Sequence, residues 1–161
     1  MASIRIVAAQ PADVPIILQM IRALADYEQL THEVTATEQD LHQSLFGPRP
    51  ACEVVIAYSG DVPIGLALFF HNFSTFLGKH GLYLEDLFVV PEWRGKGVGK
   101  QLLAHVAAIA ESRNCGRMEW SVLDWNESAI AFYRRMGAHV LDEWRICRLT
   151  GTELRAAATR T

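Results

Sequence analysis

The sequence predicts an α/β fold with a mixed sheet, on three observations. Runs of β-branched and aromatic residues bounded by turn residues recur along the chain, and four other segments carry apolar residues three and four apart. From residue 82 onward the strand and helix patterns alternate, an order that builds a sheet with helices packed on it. No repeat or linker interrupts the series, and 161 residues suit one domain, expected over residues 1–161 with its core at 4–150.

The first strand lies within Met1–Ala9, where Ile4, Ile6 and Ala8 alternate with Arg5 and Val7. Asp13 is placed to cap a helix whose apolar stripe is Ile17, Leu18, Ile21, Leu24 and Ala25, ending near Tyr27. Thr37 and Asp40 have the spacing of a capping box for a second, short helix that Gly47-Pro48 closes. Ala51–Tyr58 and Val62–Phe70 flank Ser59-Gly60-Asp61 and read as a hairpin. Asn72–Gly81, polar and glycine-punctuated, reads as a loop, and Leu82–Val90 as the most apolar strand, interrupted by Glu85 and Asp86. Strict alternation would send those two carboxylates to opposite faces of the sheet. A helix follows to about Arg113, then a strand at Met118–Val122. Asn126 caps a helix through Arg135 with Gly137 at its C-terminal position, and Trp144–Leu149 makes a last strand. The Ala-rich end after Thr152 is expected to be peripheral.

Composition excludes several classes. Half the residues are hydrophobic and 20% are charged, unlike a disordered chain. A formal charge of -3 argues against nucleic acid and anionic membranes as partners. No segment approaches the roughly 20 apolar residues of a membrane-spanning helix. Cys52, Cys115 and Cys147 form neither a disulfide framework nor a C-x-x-C pair, so the expected setting is reducing, soluble and cytoplasmic. The six histidines have no metal-ligand spacing, and no metal is expected.

The most informative stretch is Arg94-Gly95-Lys96-Gly97-Val98-Gly99-Lys100, between a buried strand and an amphipathic helix. Glycines let backbone N–H groups approach an anion, and the helix start adds unpaired N–H groups and a positive dipole end. A diphosphate fits such a turn, although the same spacing also serves a tight connection with no ligand. The Walker pattern fails because Lys100 is followed by Gln101, and the dinucleotide pattern fails because Lys100 stands where the third glycine belongs.

What remains is R-x-x-G-x-G, read as Arg94, Gly97 and Gly99, and here the sequence resembles the GNAT acyltransferase superfamily. Tyr83-Leu84-Glu85-Asp86-Leu87-Phe88-Val89, Leu123-Asp124-Trp125-Asn126, Ala131–Ala138 and Asp26-Tyr27-Glu28 extend the resemblance to the diamine and thialysine acetyltransferases. It implies a GNAT fold with a mixed sheet of six to seven strands flanked by four helices. The implied donor is acetyl-CoA, held by Leu87, Phe88, Val89, Arg94, Gly95, Lys96, Gly97, Val98, Gly99 and Lys100, with Asn126, Glu127, Ser128 and Ala129.

An acceptor amine with a pKa near ~10.4 must lose a proton, which costs roughly 4 to 5 kcal/mol at pH 7. Glu85 is the candidate base, acting through a water as the resemblance implies, and Tyr133 matches the family's general acid, which would protonate the departing thiolate. The resemblance places Tyr27, Glu28, Glu85, Glu119, Trp120 and Ser121 at the acceptor. Ser74 and Phe76 replace an acidic residue and a tryptophan of spermidine/spermine acetyltransferases, which disfavours a long polycation. The expected acceptor is a small cationic amine, thialysine- or lysine-like or a short diamine, acetylated by a homodimer. The alternatives are a protein or peptide acetyltransferase and a non-catalytic acyl-CoA-binding module; the presence of both Glu85 and Tyr133 argues against the latter.

Overall fold

The structure is a computed structural model that describes residues 3–160; Met1, Ala2 and Thr161, the ends of the expected domain, lie outside the described residues. Two compact units divide at Leu123 and Asp124.

The first unit is built on a five-stranded sheet in the order β1-β2-β3-β4-β5, with β1 Ile4–Ala8, β2 Glu53–Ser59, β3 Val62–Ser74, β4 Lys79–Val89 and β5 Met118–Glu119. The first four pair antiparallel and β5 joins β4 in parallel, so the sheet is mixed as expected, with five strands among the described residues where six to seven were expected. Helices α1 (Val14–Tyr27) and α2 (Glu38–Phe46) are joined with Val54, Ile56, Leu66, Leu68 and Phe88 in one apolar cluster on one face. Helix α3 (Val98–Ser112) packs on the other face through Val98, Leu102, Leu103 and Val106, all buried. Its C-terminal end is tied to β2 by Arg113, whose two terminal nitrogens donate to Glu53 at 2.6 and 2.9 Å.

Local signals explain most element ends. Thr37 and Asp40 form the expected capping box, the Asp40 N–H donating to Thr37 Oγ1 at 3.2 Å and the Thr37 N–H to Asp40 Oδ2 at 2.9 Å. Asp13 does not cap α1 with its side chain; its carboxylate accepts from the Gln10 N–H at 2.6 Å and from the Tyr58 hydroxyl at 3.3 Å.

The expected loop Asn72–Gly81 is instead the end of a long hairpin, with residues 70–74 paired to 79–83 and a short turn at 75–78. Ladder hydrogen bonds and the ring contact between Phe70 and Tyr83, at 5.2 Å, override its polar composition. Ser74 is buried and accepts the Leu77 N–H at 3.2 Å, so it holds the turn, while Phe76 is 99% exposed.

The β3–β4 ladder also slips by one residue. Leu68 faces Asp86 and Phe69 faces Leu84, which leaves Glu85 as a bulge with no cross-strand partner. The alternation expected through Glu85 and Asp86 therefore fails. Leu82 and Leu84 share the α3 face, whereas Asp86 joins Leu68 and Phe88 on the face covered by α1.

The second unit holds α4 (Glu127–Arg135) and α5 (Gly151–Ala158), neither with a buried residue. The Ala-rich end is thus helical. The expected strand at Trp144–Leu149 is not formed: this stretch carries no sheet pairing among the described residues. No helix among the described residues is long and apolar enough to cross a membrane.

Gly65 sets how closely α3 approaches the sheet. A Cβ there would stand 2.6 Å from the Phe88 carbonyl oxygen and 3.1 Å from Leu102 Cδ1. Gly65→Ala is expected to destabilise the protein by about 1 to 3 kcal/mol through overpacking, measured by urea denaturation.

Candidate functional site

At the end of β4 the chain turns through a 3₁₀ segment, Pro91–Trp93, into the glycine-rich stretch. Arg94 is fastened there: its Nε donates to the Val89 carbonyl at 3.0 Å, and its guanidinium lies 4.5 Å from the centre of the Tyr27 ring and 5.8 Å from that of Phe88. The turn is thereby tied both to its own strand and to the end of α1. Gly95 and Gly97 have φ of 72° and 84°, a left-handed conformation that L side chains rarely adopt, and a Cβ at either would meet nothing within 4 Å. Backbone twist demands glycine at both positions, and the space above them is open. Lys96 Nζ lies 5.0 Å from the Trp93 ring centre.

Val98, 1% exposed, seats the first turn of α3 in the core. The N–H groups of Val98, Gly99 and Lys100 precede the first intrahelical bond, made by the Gln101 N–H to the Gly97 carbonyl at 3.0 Å. With the helix dipole and the cations Lys96 and Lys100, they make a place for a polyphosphate.

An open strand edge leads to this turn. Leu87, Phe88 and Val89 pair with Ala67, Leu66 and Gly65 on one side. On the other side the β4–β5 ladder ends at Tyr83 and Glu119, so Glu85–Val89 has no ladder there among the described residues. Backbone groups along such an edge can bond an extended ligand arm.

Beside the edge stand three carboxylates. Asp86 is largely buried, and its carboxyl is pushed up to about 6, first by burial and then by the charges of Glu85 and Glu28. Burial also raises Glu28, which follows Tyr27 at the end of α1. Glu85, on the bulge, is exposed. Cys52 adjoins the group, and its thiol is raised by burial and then by Asp86, Glu85 and Glu53, which keeps it protonated. Alternation alone conceals this cluster. A signal was nevertheless present, because the apolar pattern Leu82, Leu84 resumes at Leu87 and Val89, out of phase by one residue across Glu85-Asp86.

The remaining expected acceptor positions lie at the end of β5 and directly after it. Glu119 pairs with Arg117 at 3.2 Å, and the Ser121 and Tyr83 hydroxyls are 2.9 Å apart, with Trp120 lying between Glu119 and Ser121 in sequence. In the second unit, Asn126 caps α4 as expected: its Oδ1 accepts from the Ala129 N–H at 3.3 Å and from the Ser128 hydroxyl at 3.2 Å, and Glu127 occupies the first turn. Tyr133 lies a further turn along α4, its ring 5.3 Å from that of Phe132. Gly137, with φ of 92°, ends the helix. Among the described residues no group of three His, Cys, Asp or Glu could hold a metal ion.

The Asp86 carboxyl makes a prediction about stability. In the unfolded chain it titrates near 3.8 and in the folded protein near about 6, so between those values the folded state binds more protons. Its contribution therefore worsens as pH rises from about 4 to about 6 and stays unfavourable above that. Asp86→Asn is expected to stabilise the protein at pH 7 to 8 by on the order of 2 to 3 kcal/mol and to lose that advantage near pH 4, read from denaturation curves across pH.

The comparisons with known proteins agree with this geometry. The model of the acetyltransferase (GNAT) family matches residues 18–138. The chain is 38% identical over 197 residues to the L-ornithine N5-acetyltransferase of Arabidopsis thaliana, covering 94% of this chain and 86% of that protein. It is 35% identical over 171 residues to the thialysine N-epsilon-acetyltransferase of Mus musculus, covering 99% of this chain and 100% of that one. Among solved structures, an integron cassette protein from the mobile metagenome of V. cholerae superposes with a TM-score of 0.81 at 29% identity, covering 99% of both chains. A glycine-rich turn opening a helix, an open strand edge leading to it and these likenesses over nearly the whole chain have one explanation: the protein belongs to the GNAT family of acetyltransferases.

Proposed function

We propose that this acetyltransferase moves the acetyl group of acetyl-CoA to the side-chain amine of a small cationic amino acid, thialysine-, lysine- or ornithine-like, or to a short diamine. The carrying observation is the carboxylate cluster of Glu28, Glu85 and Asp86 beside the open β4 edge that leads to the glycine-rich turn. Carboxylates attract and orient an ammonium group, and Glu85 and Asp86 lie on the strand whose end leads into the turn at residues 94–100. The relatives that act on ornithine and thialysine support an acceptor of this size.

In this reading the turn holds the pyrophosphate through backbone N–H groups and Lys96 and Lys100, and the edge at Leu87, Phe88 and Val89 holds the pantetheine arm. Glu85, exposed on its bulge, accepts the ammonium proton through a water, and the free amine attacks the thioester carbonyl directly. A backbone N–H of the same edge stabilises the carbonyl oxygen as charge builds on it. The carbon–sulfur bond then breaks, Tyr133 delivers its proton to the departing sulfur, and the second proton of the attacking nitrogen leaves as the amide forms and restores the phenol. Asn126–Ala129, the capped start of α4, adds contacts to the donor. Tyr27, Glu28, Glu119, Trp120 and Ser121 line the acceptor side. The homodimer that the family resemblance implies is part of the same reading.

Tyr133→Phe is expected to lower turnover by roughly 10²- to 10⁴-fold while calorimetry shows the same affinity for CoA. A wild-type rate of CoA release would make Tyr133 a packing residue. For the acceptor, thialysine, lysine, ornithine, putrescine, spermidine, spermine and lysine peptides are compared by CoA release. The highest kcat/KM is expected with a diamino acid or putrescine; spermine in first place would refute the charge argument, and a peptide in first place would make the protein a peptide acetyltransferase.

A further inference from the structure

The sheet face that holds the carboxylate cluster continues past it onto β5. Tyr83 and Asp86 fall on the same face of β4, because the bulge at Glu85 shifts the alternation by one residue between them. Register carries that face across: Glu119 lies beside Tyr83, and the Tyr83 and Ser121 hydroxyls are 2.9 Å apart. Arg117, two residues before Glu119, shares the face and pairs with it, its Nε 3.2 Å from Glu119 Oε1. The Phe70 ring lies against Tyr83 on the same side, 5.2 Å between ring centres.

The ion pair leaves part of each partner unused. Contact runs through the Arg117 Nε, whereas Arg113 grips Glu53 with both of its terminal nitrogens. The terminal nitrogens of Arg117 and the second carboxylate oxygen of Glu119 make no hydrogen bond among the described residues, and both side chains are partly exposed. An exposed pair of this kind adds little to stability. What it does present, on the acceptor face, is a cation and an anion side by side, the complement of the adjoining carboxylate and ammonium of a free α-amino acid.

We infer that Arg117 and Glu119 form the subsite for the α end of the acceptor: the guanidinium takes the α-carboxylate, Glu119 takes the α-ammonium, and the side-chain amine extends along the sheet face to Glu85, Asp86 and Glu28. The inference deepens the preceding reading and rests on it. It decides among the acceptors named there, because a free diamino acid alone carries both charges at one end. A diamine has no carboxylate for Arg117, and a lysine within a peptide has neither group. The spacing agrees. From Tyr83, beside Glu119, to Asp86 is three residues of strand, roughly 10 Å, the scale of an extended diamino acid from end to end. The planar guanidinium fork also matches a carboxylate in a way that a lysine ammonium does not.

Paired acceptors test this in the full-length enzyme: lysine against cadaverine, ornithine against putrescine, and Nα-acetyl-lysinamide as a peptide mimic, each by kcat/KM for CoA release. Each diamine differs from its amino acid by the carboxylate alone, and the wild type is expected to favour the amino acid in both pairs. Arg117→Met, which keeps the side-chain length without the charge, is expected to lower kcat/KM for lysine and ornithine roughly 10- to 100-fold and not to lower it for the diamines. Arg117→Lys, a point charge without the fork, falls between. Glu119→Gln is expected to weaken amino acids and diamines alike, since the second ammonium of a diamine would use the same carboxylate, and to spare Nα-acetyl-lysinamide. Circular dichroism and CoA titration check that fold and donor site persist; should Arg117→Met not fold, the lysine-to-cadaverine ratio of Arg117→Lys decides by the same rule. An unchanged ratio of amino acid to diamine in the Arg117 variants overturns the subsite and leaves the small-amine reading standing. A wild type that prefers the peptide mimic, or acetylates none of these amines, overturns both.

Discussion

Between Leu68 and Phe69 the β3 ladder meets one residue too many on β4, and the architecture of the site follows from that mismatch. Upstream of the bulge Leu82 and Leu84 belong to the α3 face; downstream, Phe88 belongs to the face of α1, with Asp86 beside it. Without the extra residue, one of those apolar sets would point to the wrong layer, because strand side chains alternate with a period of two. The bulge thus lets one strand serve two helical layers. It also turns Glu85 out to solvent and sets Asp86 against the end of α1, where Glu28 follows Tyr27. A carboxyl held at about 6 by burial and by like charges is unfavourable for folding above that pH, so the arrangement runs against stability in a place where an ammonium ligand would relieve it.

Arg94 does for the turn what the bulge does for the strand. Its hydrogen bond to Val89 and its place over the Tyr27 ring join three separate pieces of chain: the end of β4, the glycine-rich turn and the end of α1. The cation therefore serves geometry as well as charge. Gly95 and Gly97 complete the turn for a backbone reason, their left-handed φ, and the open space around them is what a ligand phosphate requires. Val98 then anchors the helix start in the core, so the unpaired N–H groups at its N-terminus are held by a rigid element.

Local chemistry was legible and long-range pairing was not. The Thr37–Asp40 capping box, the Asn126 cap, the Gly137 helix end and the Ser59–Asp61 hairpin turn each depend on residues within a few positions of one another, and each forms as the residues indicate. Asn72–Gly81 reads as a loop because its own residues are polar; it is strand because β3 and β4 face each other across a turn that Ser74 ties down. Ser74 is buried and accepts the Leu77 N–H, which gives that position a structural task. Trp144–Leu149 shows the converse. The residues favour a strand and none forms among the described residues, since strand propensity by itself fixes no ladder.

From its residues the chain declared an α/β domain and the class of ligand its glycine-rich turn can hold, and the family resemblance carried by its motifs implied Tyr133 and Glu85 as candidate acid and base. Those features are written in short, contiguous motifs whose physics is local: backbone freedom at glycine, unpaired N–H groups at a helix start, a cap three residues from its acceptor. Tertiary structure decided which carboxylates meet, that Arg94 lies across Tyr27, and where the β4 edge stands open. Each of these depends on register between strands or on helices far apart in sequence. A shift of one residue reverses the face on which a side chain lies, and no local pattern of energies specifies that shift until the two strands have paired.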